Sequence, residues 1–375
     1  MRVLVTGLRG FPDVQGGVET HCEQLYPRLK ALAGDDCEIV VTTRTPYWRG
    51  ERPSAWQGIR YRPLWTPAHP KFEAIVHTVL ATLYAGITRP DLVHVHAIGP
   101  ALVVPLARLL GLRVIVTHHG ADYDREKWGG FARRMLQLGE RWGMRWSHAR
   151  IVISRTIRRF VKETFQREAD LIPNGVPPAE RIETGDWLSA RGIQPGRYIL
   201  QVSRLVPEKR QLDLIAAFRD SHARAAGWHL LFAGGLDETD AYHQQLMQAA
   251  AGDEQILLTG FQTGDVLAEL LSHAGCFVLP SSHEGLPIAL LEALSYGRRV
   301  VASDIPANLE VELSAERYFP LGDVDALRER IDAAADRDWL AADAEGSLAI
   351  ARRYDWDEIA QQTLDLYRRV IATGR

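Results

Sequence analysis

Short runs of β-branched and aliphatic residues, each followed by a longer stretch with apolar positions at helical spacing, recur along the whole chain. That alternation marks βα units, whose strands lie parallel and whose helices carry the crossovers. In the first half the runs fall at residues 3–6, 38–42, 91–96, 114–117 and 151–154; in the second half they fall at 198–202, 229–233, 255–259, 275–279 and 299–302. The pattern predicts an α/β fold with two doubly wound parallel sheets. Between the two sets, Pro173-Asn174-Gly175-Val176-Pro177-Pro178 has the composition of a domain boundary. The expected division is an N-terminal Rossmann-like domain over 1–175, a second over 176–352, and a packing helix in 353–375 returning toward the first domain. That last segment carries Ile359, Thr363, Leu364, Leu366, Tyr367 and Val370 at helical spacing.

Composition agrees with two domains: 375 residues, 46% hydrophobic, are enough for two cores. The net charge of −3 excludes a strongly basic nucleic-acid binder, but it hides a division. Residues 1–170 hold 25 Lys+Arg against 16 Asp+Glu, a net of +9, which leaves 19 and 31, or −12, for residues 171–375. Cys22, Cys37 and Cys276 are isolated, so neither a disulfide framework nor a thiolate zinc site is expected. The apolar run at residues 3–5 is too short for a signal-peptide core, and the mainly apolar stretch 74–87 is too short for a membrane span. The expected location is cytoplasmic.

In open parallel sheets ligands bind beyond the carboxyl ends of the strands, so two such domains facing each other would make one cleft. Two constellations there could carry chemistry. In the first, a strand ending at Leu279 runs through Ser281-Ser282-His283-Glu284-Gly285-Leu286-Pro287 into a helix that is apolar on nearly every side except at Glu292, with Gly297 suited to its end. A nucleotide-sugar diphosphate would suit the positive end of that helix, with Glu292 accepting from ribose hydroxyls and Glu284 from the sugar. The same spacing also fits two salt-bridged glutamates around an ordinary core helix. In the second, Ser203-Arg204-Leu205-Val206-Pro207-Glu208-Lys209 places two cations on a loop leaving a strand, where they could bracket a diphosphate or form a solvated basic loop.

Taken together, these residues resemble the retaining glycosyltransferases of GT-B fold, glycosyltransferase family 4, of the type that assembles bacterial polysaccharides. The resemblance rests on Glu284 and Glu292 with seven residues between them, the pair Arg204 and Lys209, Pro173-Asn174-Gly175-Val176, and Gly16-Gly17-Val18-Glu19 after the first strand. It implies two Rossmann-like domains facing a central cleft, with the acceptor on the first and the donor on the second. It implies donor contacts from Gly16, Gly17, Arg204, Lys209, Glu284, Gly285, Leu286, Pro287 and Glu292, and catalytic roles for His119, Glu284, Arg204 and Lys209. His119 is the better match to the family's active-site histidine in Val116-Thr117-His118-His119-Gly120, with His118 the alternative register. The following 123–129 is similar to a subgroup of polysaccharide-assembly transferases. The implied reaction is retaining hexosyl transfer from a nucleotide-diphosphate sugar to a saccharide or lipid-linked saccharide, with no metal and no cofactor.

Other features have plainer readings. Gly7 and Gly10 begin a dinucleotide fingerprint that stops at Asp13, while Tyr26 and Lys30 have a reductase spacing interrupted by Pro27. In Asp323-Val324-Asp325 one aspartate is expected to cap the following helix rather than bind metal. The basic surplus concentrates near residues 131–162, where Arg133, Arg134, Arg141 and Arg145 mix with Phe131, Met135, Leu138, Trp142 and Trp146. The plain expectation is apolar members in the core with snorkelling arginines; the sharper one is peripheral contact with an anionic membrane at its inner face. Two rival functions remain open: a GT-B sugar-nucleotide epimerase and a non-catalytic nucleotide-sugar-binding protein.

Overall fold

Val3, Val5, Ile39 and Val41 point to one side of neighbouring strands and are sealed from water, as alternation along a pleated backbone requires. These strands belong to a computed structural model that describes residues 1–47, 54–69, 72–121, 129–183, 185–235, 241–336 and 341–373. In chain order the first sheet contains β1 (Arg2–Thr6), β2 (Glu38–Arg44), β3 (Ala55–Trp56), β4 (Ile59–Leu64), β5 (Leu92–His96), β6 (Val114–His118), β7 (Ala149–Val152) and β8 (Asp170–Leu171). Its spatial order is β3-β4-β2-β1-β5-β6-β7-β8, parallel except for the β3–β4 pair. The second sheet contains β9 (Tyr198–Val202), β10 (His229–Ala233), β11 (Ile256–Gly260), β12 (Cys276–Leu279), β13 (Val300–Ser303) and β14 (Tyr318–Phe319), in the order β11-β10-β9-β12-β13-β14 and wholly parallel.

The sheets are wider than the ten predicted strands. β8 and β14 have only two residues each, too few to show a period. β4 escapes because Arg60, Arg62 and Pro63 interrupt its apolar positions, leaving only Ile59 and Tyr61 buried, the pattern of a strand near a sheet edge.

The chain divides into two compact units, residues 1–175 with 356–375, and residues 176–355. The terminal helix, Trp356–Ala372, joins the first unit because its buried stripe of Ile359, Leu364, Leu366, Tyr367 and Val370 enters the same core as Cys22, Leu25, Tyr26 and Leu29 of the Gly17–Ala33 helix. At the point of exit, a Cβ on Gly175 would meet Trp356 Cδ2 at 2.6 Å, so the chain leaves this unit pressed against the residue on which it returns. The second unit has its own core, built on Phe218, Phe232, Val278, Leu246 and Leu327.

Four details bear on the sequence reading. Asp323 Oδ1 accepts from the Ala326 N–H at 2.9 Å, so it caps the following helix. Lys30 Nζ turns back to the carbonyls of Gly34 and Cys37. In the Gly130–Trp146 helix the expected inward face is incomplete: Met144 is buried, but Phe131 is 80% and Trp146 48% exposed, with Trp146 stacked on Trp142. Phe131 in the first turn and Trp146 in the last therefore lie outside the core. The stretch 123–128 lies outside the described residues. Among those described, no helix is long and apolar enough to cross a membrane.

Replacing Leu364, sealed in the shared core, by Ala is expected to destabilise the first unit by about 2–5 kcal/mol. Urea denaturation followed by the two units' separate transitions should show the first move and the second stay.

Candidate active site

In each sheet the first strand of the unit lies between neighbours whose connections run to opposite sides: β1 between β2 and β5, β9 between β10 and β12. Such a switch point leaves the carboxyl end of the central strand free to receive a ligand. Most of the candidate residues collect at these two places.

In the second unit, the loop after β9 is pinned from beneath. The buried Gln201 amide donates to the Lys209 carbonyl at 3.0 Å, and Gln211 Nε2 donates to Ser203 Oγ at 3.1 Å and to the Arg204 carbonyl at 3.0 Å. Gln211 is itself held by the Tyr242 hydroxyl, which donates to its Oε1 at 2.8 Å. The loop after β12 is tied to the same backbone, since the Ser282 N–H donates to the Glu208 carbonyl at 2.9 Å. These ties bring Lys209 and Glu284, 75 residues apart, into an ion pair whose side chains are 14% and 11% exposed. Arg204 lies 3.6 Å from Glu208 Oε1 on the same loop. Gly285, the buried Leu286 and Pro287 then lead into the Ile288–Ser295 helix, with Pro287 at its N-cap.

Glu292 sits within that helix with Leu290, Leu291, Ala293 and Leu294 buried around it. A carboxylate among apolar groups needs a partner, yet among the described residues no cation pairs with it. Burial alone pushes its carboxyl up to about 7. The salt-bridged reading therefore fits Glu284 and fails for Glu292, which keeps its hydrogen-bonding capacity for something the chain does not supply.

In the first unit, the glycine-rich loop after β1 is clamped by a pair that sequence reasoning passed over. Arg9 Nε and Nη2 donate to the two oxygens of Glu19 at 3.0 Å each, and the Arg9 N–H donates to Oε1 at 3.1 Å. Burial would raise the Glu19 carboxyl, but the Arg9 guanidinium outweighs it and holds the group below the usual range. A side chain on Gly16, which has φ near +156°, would strike this pair, whereas the space where a Gly17 Cβ would stand is open to 4 Å. Gly7 serves packing, since a Cβ there would collide with the His96 backbone. Of these glycines, Gly17 alone is left facing room for a ligand.

The two histidines at the end of β6 divide their duties. His118 is buried; its Nε2 donates to Glu140 Oε1 at 2.8 Å, and its Nδ1 accepts from the Gly120 N–H at 3.1 Å. His119 is half-buried and turns to the switch point, where its Nε2 lies 3.0 Å from His96 Nδ1 and its ring 4.9 Å from that of His21. His96 continues into a sealed network: its Nε2 is 2.5 Å from the Tyr26 hydroxyl, which is 3.0 Å from His94 Nδ1, and His94 also meets the Tyr367 hydroxyl and Thr117 Oγ1. Burial, reinforced by neighbouring imidazoles, depresses His96 and His119 well below the usual range, and burial brings His94 to about 3 and His21 to about 4. All four rings are neutral at pH 7. The sequence signal was present in His94-Val95-His96, whose alternation puts both imidazoles on one sheet face, but His21 could be found only in three dimensions.

Comparison with known proteins separates the chain along the same lines. A family model described as "Glycosyltransferase Family 4" matches residues 15–180, and one described as "Glycosyl transferases group 1" matches residues 189–345. The chain is a glycosyltransferase built from these two domains. Among relatives of this transferase, the GDP-mannose:cellobiosyl-diphosphopolyprenol alpha-mannosyltransferase of Xanthomonas oryzae is 26% identical, over 98% of this chain and 97% of that one. Alpha-maltose-1-phosphate synthase of Mycobacterium tuberculosis is 26% identical over 99% of this chain and 100% of that one. The solved sucrose-phosphate synthase of Thermosynechococcus elongatus superposes with a TM-score of 0.83 at 20% identity, covering 100% of this chain and 99% of the other; the likeness shows the GT-B fold.

The buried carboxyl of Glu292 gives this transferase a pH-dependent second unit. The folded state keeps a proton on Glu292 that the unfolded chain releases near 4.5, so stability falls as pH rises from there to about 7. The loss is at most about 3 kcal/mol. Glu292→Gln is expected to melt with the wild type at pH 5 and above it at pH 8, by calorimetry; equal melting at pH 8 would count against an ionised, unpaired Glu292.

Proposed function

We propose that this glycosyltransferase moves a hexosyl group from a nucleotide-diphosphate sugar to a hydroxyl of a lipid-linked saccharide, with retention of anomeric configuration, in the assembly of a cell-surface polysaccharide. The observation that carries the reading is the pairing of Lys209 with Glu284 at the switch point of the second unit, on the loops that also carry Arg204 and lead into the N-terminus of the Ile288–Ser295 helix, which no side chain caps. Arg204, Lys209 and that helix end meet the donor diphosphate, so the charge needs no metal and the enzyme no cofactor. Gly285, Leu286 and Pro287 bring the backbone to the donor, and Gly17, with open space at its Cβ position, allows a ligand the same close approach in the first unit while Gly16 makes room for the Arg9–Glu19 clamp. Glu292 accepts from ribose hydroxyls and Glu284 from hydroxyls of the sugar, exchanging part of its bond to Lys209 for the donor.

The first unit takes the acceptor, and His119 works at the reacting centre. Its ring is neutral, so one nitrogen donates and the other accepts. As the bond from the anomeric carbon to the diphosphate oxygen breaks, the acceptor oxygen bonds to the same face of that carbon. The departing phosphate oxygen takes the hydroxyl proton, leaving a nucleoside diphosphate. A lipid-linked acceptor is supported by the name of the Xanthomonas relative, whose acceptor is a cellobiosyl-diphosphopolyprenol. It is also supported by the basic Gly130–Trp146 helix, which leaves Phe131 and Trp146 in solvent among arginines, a surface suited to peripheral contact with anionic lipid.

Lys209→Ala should lower turnover about 100- to 1,000-fold, since a charge-stabilising contact contributes roughly 3–4 kcal/mol in the transition state. The assay is transfer of labelled sugar from a panel of sugar nucleotides to membrane extract, with circular dichroism to verify folding; near-wild-type turnover would end this role for Lys209. Free epimerised donor without transfer, or binding without turnover, would replace the transferase reading with one of its rivals.

Arg141→Glu with Arg145→Glu should reduce co-sedimentation with anionic vesicles several-fold at low salt. Equal binding to neutral and anionic vesicles by the wild type would sink the membrane contact.

A further inference from the structure

The histidines of the first unit have an arrangement that the transfer reaction does not require. One ring nitrogen each of His21, His96 and His119 lies within 4.8 Å of the other two. We propose that these three side chains form a binding site for a divalent transition-metal ion of the zinc class. His96 Nδ1 and His119 Nε2 are 3.0 Å apart. Two nitrogens bound to tetrahedral zinc at about 2.0–2.1 Å stand roughly 3.3 Å from each other, so the ion fits that pair after an opening of a few tenths of an ångström.

The outer nitrogens point the same way. His21 Nδ1 is 3.0 Å from Asn174 Oδ1, and a carbonyl oxygen only accepts; Nδ1 therefore carries the proton and Nε2 the lone pair. His96 Nε2 lies 2.5 Å from the Tyr26 hydroxyl, an oxygen able to accept its N–H, and in that tautomer His96 Nδ1 carries the lone pair that faces His119. A second ring N–H anchored to a protein oxygen is the usual support of a metal-bound histidine, and two of the three ligands have such an oxygen in place, Asn174 Oδ1 for His21 and the Tyr26 hydroxyl for His96. Two ligands are sealed while His119 is half-exposed, which provides an entrance and leaves a fourth coordination position toward solvent. Three imidazoles with no carboxylate or thiolate suit zinc, cobalt, nickel or copper rather than magnesium or calcium.

All three ligands and their supporting Asn174 and Tyr26 belong to the first unit. Occupation of the site would engage His119 Nε2, so metal binding and a free His119 exclude each other; that consequence rests on the reading of His119 above, whereas the site itself does not.

Cobalt(II), titrated into the tag-free full-length chain, reads binding without any assay of turnover. One equivalent should raise a four-coordinate ligand-field band in the visible, which zinc then displaces. His96→Ala and His119→Ala should abolish the band, and Asn174→Ala should weaken cobalt binding about 10- to 100-fold by freeing the His21 ring. The chain has 13 histidines, so a band that survives both His96→Ala and His119→Ala would place the ion elsewhere and overturn the proposal, as would no band in the wild type. If His96→Ala fails to fold by circular dichroism, the half-exposed His119→Ala alone decides. Zinc inhibition of transfer, reversed by a chelator, would be expected if His119 acts at the reacting centre; a bound ion with unchanged turnover would instead remove His119 from the reaction and leave the metal site standing.

Discussion

Where the connections on the two sides of a parallel strand depart in opposite directions, no crossover covers its carboxyl end, and each unit of this protein is organised around one such end. At β9 the opening receives Lys209 from one loop and Glu284 from another, brought together by a backbone tie between Ser282 and Glu208. At β1 it receives the clamped glycine loop on one side and the histidines of β5 and β6 on the other. The strand order thus decides where chemistry can occur before any particular side chain is considered.

Charge burial then separates groups that hold the structure from groups held ready. Arg9 with Glu19, Arg44 with Glu73 and His118 with Glu140 are closed pairs, each carboxylate taken from water together with its partner. Glu292 is the departure from that habit. Its carboxyl is desolvated on a helix of buried leucines and alanine, and among the described residues no cation pairs with it, a cost in stability that the ordinary rules of packing would remove. Such a cost is characteristic of a site that awaits a ligand. The histidine network follows a related logic: neutral rings, linked through the hydroxyls of Tyr26, Tyr367 and Thr117 and the Asn174 amide, form a support behind His119.

The sequence made the strands legible wherever the run of β-branched residues exceeded three or four, because burial on both faces leaves little room for polar residues. It also made visible the Pro-Gly boundary near 175, the amphipathic stripe of the terminal helix and the Asp323 cap, all of which are local properties. The next-to-edge strand β4 was hidden because one face is wet, and β8 and β14 because two residues have no period. The inward face assigned to Phe131 and Trp146 was wrong for a related reason: helical spacing says that apolar residues share a side, not that a core lies there.

The candidate donor residues could be read from motif spacing, but their relations could not. Sequence alone determined that the chain has two parallel-sheet domains, that Glu284, Glu292, Arg204 and Lys209 lie on loops and a helix following strands, and that His118 and His119 end another. Only the tertiary structure decided that Glu284 is paired while Glu292 is not, that His118 is consumed by Glu140 while His119 is left for the switch point, and that His21 joins His96 from a different element. The reason is physical: periodicity and propensity act over a turn or a strand, whereas the pairing of a buried polar group depends on which distant segment the fold places within three ångströms of it.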